Sequence, residues 1–108
     1  MSVQGDRLES VLRRAIQEVL GRGLNDPRVR GMISVTRMRI APDLADATIF
    51  VSVHPEEHAE LTMHGLHSAE KHIRWQVGRA ARLRRIPRLA FRLDETLGSE
   101  KNRFVFMR

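Results

Sequence analysis

Between Leu66 and Ala80 the apolar residues Leu66, Ala69, Ile73, Val77 and Ala80 recur at intervals of 3, 4, 4 and 3, the spacing of one face of an α-helix. The opposite face carries Lys71, Arg74, Gly78, Arg82 and Arg85. At about 100° per residue these fall within a stripe about 80° wide, with Arg79 and Trp75 flanking it. Residues 71–92 hold one Lys, seven Arg and no acidic residue. A disordered basic segment lacks such apolar periodicity. The pattern therefore calls for a helix docked on a core by one side, with its guanidinium groups turned outward. Arg84 would project near the apolar face, so the helix is expected to end around Leu83.

The rest of the chain supplies what this helix docks on. Leu8, Val11, Leu12, Ala15, Ile16, Val19 and Leu20 trace a single helical face. The spacing predicts a first helix over 6–21, with Asp6 as N-cap, Glu9 in capping-box position, and Gly21 and Gly23 at its end. Asn25-Asp26-Pro27-Arg28 reads as a turn, with Pro27 fixing φ and Asp26 able to bond the backbone ahead. Residues 33–40 are β-rich, but the alternation slips: Ile33 and Val35 share one parity, Met38 and Ile40 the other, and a β-bulge reconciles them. After Ala41-Pro42-Asp43, the residues Ala47, Ile49, Val51 and Val53 alternate cleanly with Thr48, Phe50 and Ser52. The two segments predict an antiparallel hairpin with one face on the helices. Pro55-Glu56-Glu57 suits the first turn of the long helix. Past Pro87, Leu89, Phe91 and Leu93 alternate with Arg88, Ala90 and Arg92 as a short third strand. Gly98-Ser99 reads as loop, and Phe104-Val105-Phe106 either docks as an edge segment or frays. The order is that of an α+β sheet with helices packed on one face.

A length of 108 residues fits one domain. With no cysteine, disulfides, thiolate metal sites and thiol nucleophiles are excluded. No apolar run approaches the roughly 18 residues of a membrane span, and the N-terminal sequence lacks the apolar stretch of a signal peptide. A cytoplasmic location is the expectation.

Charge narrows the function. The formal net charge is +6, yet residues 40–70 hold six acids and no Lys or Arg, so an acidic middle precedes a basic second half. Of the 19 basic residues 17 are Arg. Lys would serve solubility equally well, whereas Arg adds a planar fork that binds phosphate through two hydrogen bonds. Clustered Arg on a folded surface points to a polyanion, since each neutralised phosphate releases condensed counterions. A solvated basic face, or a basic face for an acidic protein partner, is the alternative. Trp75 either stacks on an unpaired base or seals the helix edge against the core. His54, His58, His64, His67 and His72 cluster near Glu57 and Glu60; His64 and His67, at i and i+3 on a helix, could form half of a metal site, but no spacing such as H-E-x-x-H is present, and no metal or cofactor is expected. Neither a nucleophile elbow nor a Walker loop is present, so the chain does not read as an enzyme.

These residues resemble ribosome-binding factor A, a family of bacterial small-subunit assembly factors. The resemblance rests on Asp26-Pro27-Arg28 after the first helix, Ile33-Ser34-Val35-Thr36, Asp43-Leu44, Ala47 and Val51-Ser52-Val53. It continues with Ile73-Arg74, Leu83-Arg84, Pro87, Leu89, Phe91 and Asp94, in order and spacing from about residue 7 to residue 94. It implies a type II KH-like domain over residues 1–94, with 95–108 as a tail. It also implies a non-enzymatic, monomeric protein that binds 16S rRNA in the 30S subunit near its 5′-terminal region and supports late maturation, notably in the cold; a stress factor that binds mature ribosomes is the nearer alternative. Where the family carries Ala-x-Gly at a kink in the long helix, this chain has Ala69-Glu70-Lys71. Lys propagates a helix roughly 0.5–1 kcal/mol better than Gly, a preference smaller than the packing on either side of the kink. The bend is therefore expected to survive. The residues expected to hold RNA phosphates are Lys71, Arg74, Arg79, Arg82 and Arg85, with Arg84 and Arg88 beyond the helix. Trp75 is the candidate for base stacking. The acidic segment 43–60 is expected to face away from the RNA or towards a basic ribosomal protein.

Overall fold

Helix, strand, strand, bent helix, strand is the order taken by the computed structural model, which describes residues 3–95. The elements are α1 (Val3–Arg22), β1 (Met32–Ile40), β2 (Asp46–His54), a 3-10 turn (Glu56–His58), α2 (Ala59–Ser68), α3 (Glu70–Ala81) and β3 (Arg88–Leu93). The strands lie in the order β1-β2-β3. β1 and β2 form the expected antiparallel hairpin, and β3 returns parallel to β2, as a helical crossover requires. The expectations for 96–108 lie outside the described residues.

The parity slip in the first strand is a bulge. The register passes from Val35↔Val51 to Arg37↔Phe50, leaving Thr36 as the extra residue. Its hydroxyl fixes the irregularity, lying 3.2 Å from the Phe50 carbonyl and 2.6 Å from Asp94 Oδ2. Inward residues of both parities, Ile33 and Val35 before the bulge, Met38 and Ile40 after it, thus reach the same core.

That core joins Leu12, Ile16 and Val19 of α1 to Ile49, Val51 and Phe91 of the sheet, and to Leu66, Ile73 and Val77 of the bent helix. Burying one Leu, Ile, Val or Phe side chain stabilises the fold by about 1.5–3 kcal/mol. α1 also covers the free edge of β1. Gln17 Nε2 donates to the Ile33 carbonyl (3.1 Å), and its Oε1 accepts from the Val35 N–H (2.9 Å). The amide satisfies the edge as a further strand would.

Three helix boundaries differ from the sequence reading, and the bend falls as expected. α1 begins at Val3, so Asp6 lies inside the helix and not at its N-cap. Pro55 precedes a 3-10 turn, and α2 proper starts at Ala59. The long helix breaks at Ala69 (φ −92°, ψ 6°), where the expected bend survives without the glycine. Lys71 is simply the second residue of α3, neither strained nor a cap. The bend follows from divided packing: α2 lies on β2 and β3, while α3 lies chiefly on α1. Gly65 brings α2 close to the preceding loop, since a Cβ there would stand 2.6 Å from Val29 Cγ2. Finally, α3 ends at Ala81, two residues before the predicted Leu83, and Ala80 is exposed. Arg82 takes the left-handed conformation (φ 56°), and Leu83 N–H bonds the Gly78 carbonyl (3.0 Å), a Schellman closure with Arg in the place Gly usually holds.

Candidate nucleic-acid interface

The Schellman turn sends residues 83–87 back alongside α3, and a groove of about 1020 Å³ lies at this junction. Its walls are the outer face of α3 (Lys71, Arg74, Trp75, Gly78, Arg79), residues 83–87 and the β1–β2 turn at 43–45, with Leu8 of α1 at one end. Gly78 faces the returning chain: a Cβ there would lie 3.3 Å from Ile86 Cγ1. β3 fixes the other wall, because Arg88 N–H bonds the Ala45 carbonyl (2.9 Å) and opens the parallel register at Asp46↔Arg88.

Six of the eight residues expected at the site therefore come together: Lys71, Arg74, Trp75, Arg79, Arg84 and Arg85. Arg82, exposed at the helix end, and Arg88, exposed on β3, lie outside the groove. Trp75 is 57% exposed, so it does not seal the core. The Arg79 guanidinium lies 5.0 Å from its ring centre, and His72 stacks beside it at 6.0 Å and 20°. A cation held over an indole is placed there by the ring's quadrupole.

The charges differ in how far they are committed. Arg74 pairs with Glu70 (Nε–Oε2 3.3 Å), and Glu70 Oε2 also accepts the Leu89 N–H (2.8 Å). Glu70 thus ties α3 to β3, and Arg74 holds Glu70 while lining the groove. Arg88 pairs with Asp46 (3.0 Å). Lys71, Arg79, Arg84 and Arg85 enter no ion pair among the described residues.

Part of the acidic segment lies in the groove wall. Asp43 and exposed Leu44 line the groove, with Asp43 Oδ1 accepting the Ala45 N–H (3.0 Å) and Leu44 at φ 62°. The parallel pairing of β3 with β2 draws this turn to the basic wall, a long-range consequence that local charge counting does not reveal. Glu70 was likewise missed, since its acceptor role reaches Leu89, 19 residues on. Thr62 was missed too; buried in α2, its hydroxyl accepts the Arg30 N–H (3.1 Å) and clasps the loop before β1.

The Asp26-Pro27-Arg28 turn has another character. Arg28 donates to both Asp26 oxygens (Nε 3.0 Å, Nη2 2.6 Å), and its backbone N–H adds a third bond at 2.9 Å. These bonds, the guanidinium first and the backbone second, lower the Asp26 pKa from 3.8 to about 2, and the same pairing raises that of Arg28. His67 Nε2 meets the Phe91 carbonyl at 2.8 Å. No group of three or more His, Cys, Asp or Glu among the described residues could hold a metal ion, and no described helix is long and apolar enough to cross a membrane.

A three-stranded sheet under a bent helix, with a guanidinium-lined groove beside that helix, defines a small α+β domain of KH-like topology. The chain belongs to the ribosome-binding factor A family, whose model matches residues 4–103. It is 40% identical over 92 residues to a ribosome-binding factor A of Anaeromyxobacter sp. (strain Fw109-5), covering 84% of this chain and 75% of that one. The crystal structure of ribosome-binding factor A from Thermus thermophilus is similar, with a TM-score of 0.67 and 31% identity, covering 82% of this chain and 92% of that one. A homology model of the Thermus thermophilus factor, fitted into a cryo-EM map of a 30S complex, superposes with a TM-score of 0.66 at 31% identity over 80% of this chain and 90% of that one.

Proposed function

We propose that this protein is a non-catalytic ribosome assembly factor that binds 16S rRNA in the 30S subunit through the groove beside α3. The observation that carries the reading is the convergence of Lys71, Arg79, Arg84 and Arg85, free of ion pairs among the described residues, around a half-open Trp75. Such a site binds phosphates by counterion release and leaves one aromatic for an unpaired base. Arg74 adds charge while anchored to Glu70; Arg82 and Arg88, at the rim and on β3, are outer contacts. The relative fitted into a 30S complex supports the choice of subunit. The family resemblance adds the 5′-terminal region of 16S rRNA as the place, late maturation, including in the cold, as the role, and the monomer in the cytoplasm as the acting form.

Sedimentation of the tagged chain with separated 30S, 50S and 70S particles tests this reading. The chain is expected to travel with 30S and to be displaced by excess unrelated RNA. Retention on 30S that RNA cannot displace would point instead to a protein partner for the basic face.

A further inference from the structure

The bulge at Thr36 does more than reconcile two halves of a strand. Were β1 regular, Arg37 and Arg39 would share the inward parity of Ile33 and Val35. The extra residue turns both to the outer face of the sheet, the face away from the core, where they are exposed. There the register sets Arg37 on β1, Phe50 on β2 and Arg92 on β3 in one row, with Arg39, Thr48 and Ala90 in the next. The Arg37 guanidinium lies 4.1 Å from the centre of the Phe50 ring and that of Arg39 6.0 Å. The neighbouring outward residues Thr48, Ser52 and Ala90 are small, so a single ring stands among arginines. Arg37 is 3.8 Å from Asp94; Arg39 and Arg92 make no ion pair among the described residues.

We infer that this sheet face is a second RNA-binding surface, separate from the groove, that takes a short single-stranded segment. Phosphates pair with Arg39 and Arg92, and one base stacks on Phe50 or on the guanidinium that covers it. Three features select single-stranded RNA as the occupant. The face carries arginine on two of its three strands, against Asp46, which Arg88 pairs, and Glu95, which lines the same pocket as Arg92. Its aromatic is flanked by cations, the arrangement that serves base stacking. Arg37, Phe50 and Arg92 line a pocket of about 440 Å³, room for a nucleotide and not for a duplex. The inference rests on RNA being the ligand, as proposed above, but not on the groove.

The test uses the full chain and a fluorescein-labelled decauridylate, with binding followed by anisotropy over a range of salt. Arg39→Gln/Arg92→Gln is expected to flatten the log-affinity against log-salt slope by about 1.4, two phosphates at roughly 0.7 each. Phe50→Leu keeps the apolar cover but removes the ring. It is expected to weaken binding at least about fivefold, the lower end of base–aromatic stacking, with the slope unchanged. Should Phe50→Leu fold poorly, the arginine pair, being exposed, still decides. Lys71→Gln/Arg85→Gln serves as the groove control. Wild-type binding by the sheet variants, with loss in the groove variant, overturns this inference and leaves the groove reading standing. The reverse pattern upholds it and removes the groove. Amide resonances of residues 37–39, 48–50 and 90–92 are expected to shift on adding the oligonucleotide. Contacts between the Phe50 ring and residues 96–108 that RNA leaves undisturbed would make the chain's own tail the occupant and overturn the inference.

Discussion

Arg28 and Arg79 show two uses of the same side chain. Arg28 is committed locally: its Nε and Nη2 grip both oxygens of Asp26, and the turn it closes sits against α2 at Gly65. Arg79 meets no carboxylate among the described residues; it lies over the ring of a largely exposed tryptophan, beside Lys71, Arg84 and Arg85. The first is scaffold. The second is available to a ligand. Counting arginines does not separate them, whereas following each guanidinium to its acceptor does. Arg74 stands between the two, lining the groove while holding Glu70 and, through it, β3.

The largest effect expected from breaking the scaffold side comes at Gly65. Gly65→Ala places a methyl 2.6 Å from Val29 Cγ2 and should cost about 1–3 kcal/mol, the usual penalty of overpacking, read as a lower urea midpoint with RNA affinity of the folded fraction unchanged. Glu70→Gln probes the intermediate case. It removes the charge that holds Arg74 and weakens the bond to Leu89, so stability should fall by about 1 kcal/mol while RNA affinity rises and its salt slope steepens. A drop in affinity would show that Arg74 must be held in place to act. Arg82→Gly relieves a left-handed arginine outside the groove. It should raise stability by about 0.5–1 kcal/mol and leave decauridylate binding within twofold, a small change that would mark Arg82 as no principal contact.

The smallest effect is expected at Asp26, whose ion pair lies at the surface. Because its folded pKa of about 2 lies below the ordinary 3.8, the ionised form is the one that folding favours. Its contribution is therefore complete above the ordinary value and fades as pH falls through about 2. The melting-temperature gap between the wild type and Asp26→Asn should be constant above about pH 5 and close towards pH 2. A gap that widens on acidification would contradict the pairing.

How much of this was legible in the sequence follows from the range of each interaction. The bulge was legible because Ile33, Val35, Met38 and Ile40 record the parity change within one strand. The bend was not, because Leu66 to Ala80 keep one helical phase; it was expected from the family resemblance and from the packing on either side. Asp43 in the groove wall, Glu70 capping Leu89 and Thr62 clasping the loop before β1 were not legible, because each depends on a partner brought near only by the parallel return of β3 or the seating of α2. Arg82 was read as one more charge on a stripe, since Arg carries no sign of left-handed backbone where Gly would have announced it. Ala80 was assigned to the core by spacing alone, yet the chain turns off at Ala81 and leaves it in solvent. Six of the eight expected site residues meet in one groove because a helical stripe and the segment that folds back beside it are neighbours in sequence.

The most direct test of the division between scaffold and site is the salt dependence of association with purified 30S subunits. It would be compared for the wild type, Lys71→Gln/Arg79→Gln/Arg84→Gln/Arg85→Gln and Arg28→Gln. The quadruple variant, folded as wild type by circular dichroism, is expected to bind more weakly with a log–log slope flatter by about 3, four contacts at roughly 0.7–0.9 each. Arg28→Gln should melt earlier but keep the wild-type slope. A quadruple variant with the wild-type slope, or an Arg28→Gln that flattens it, would contradict the account.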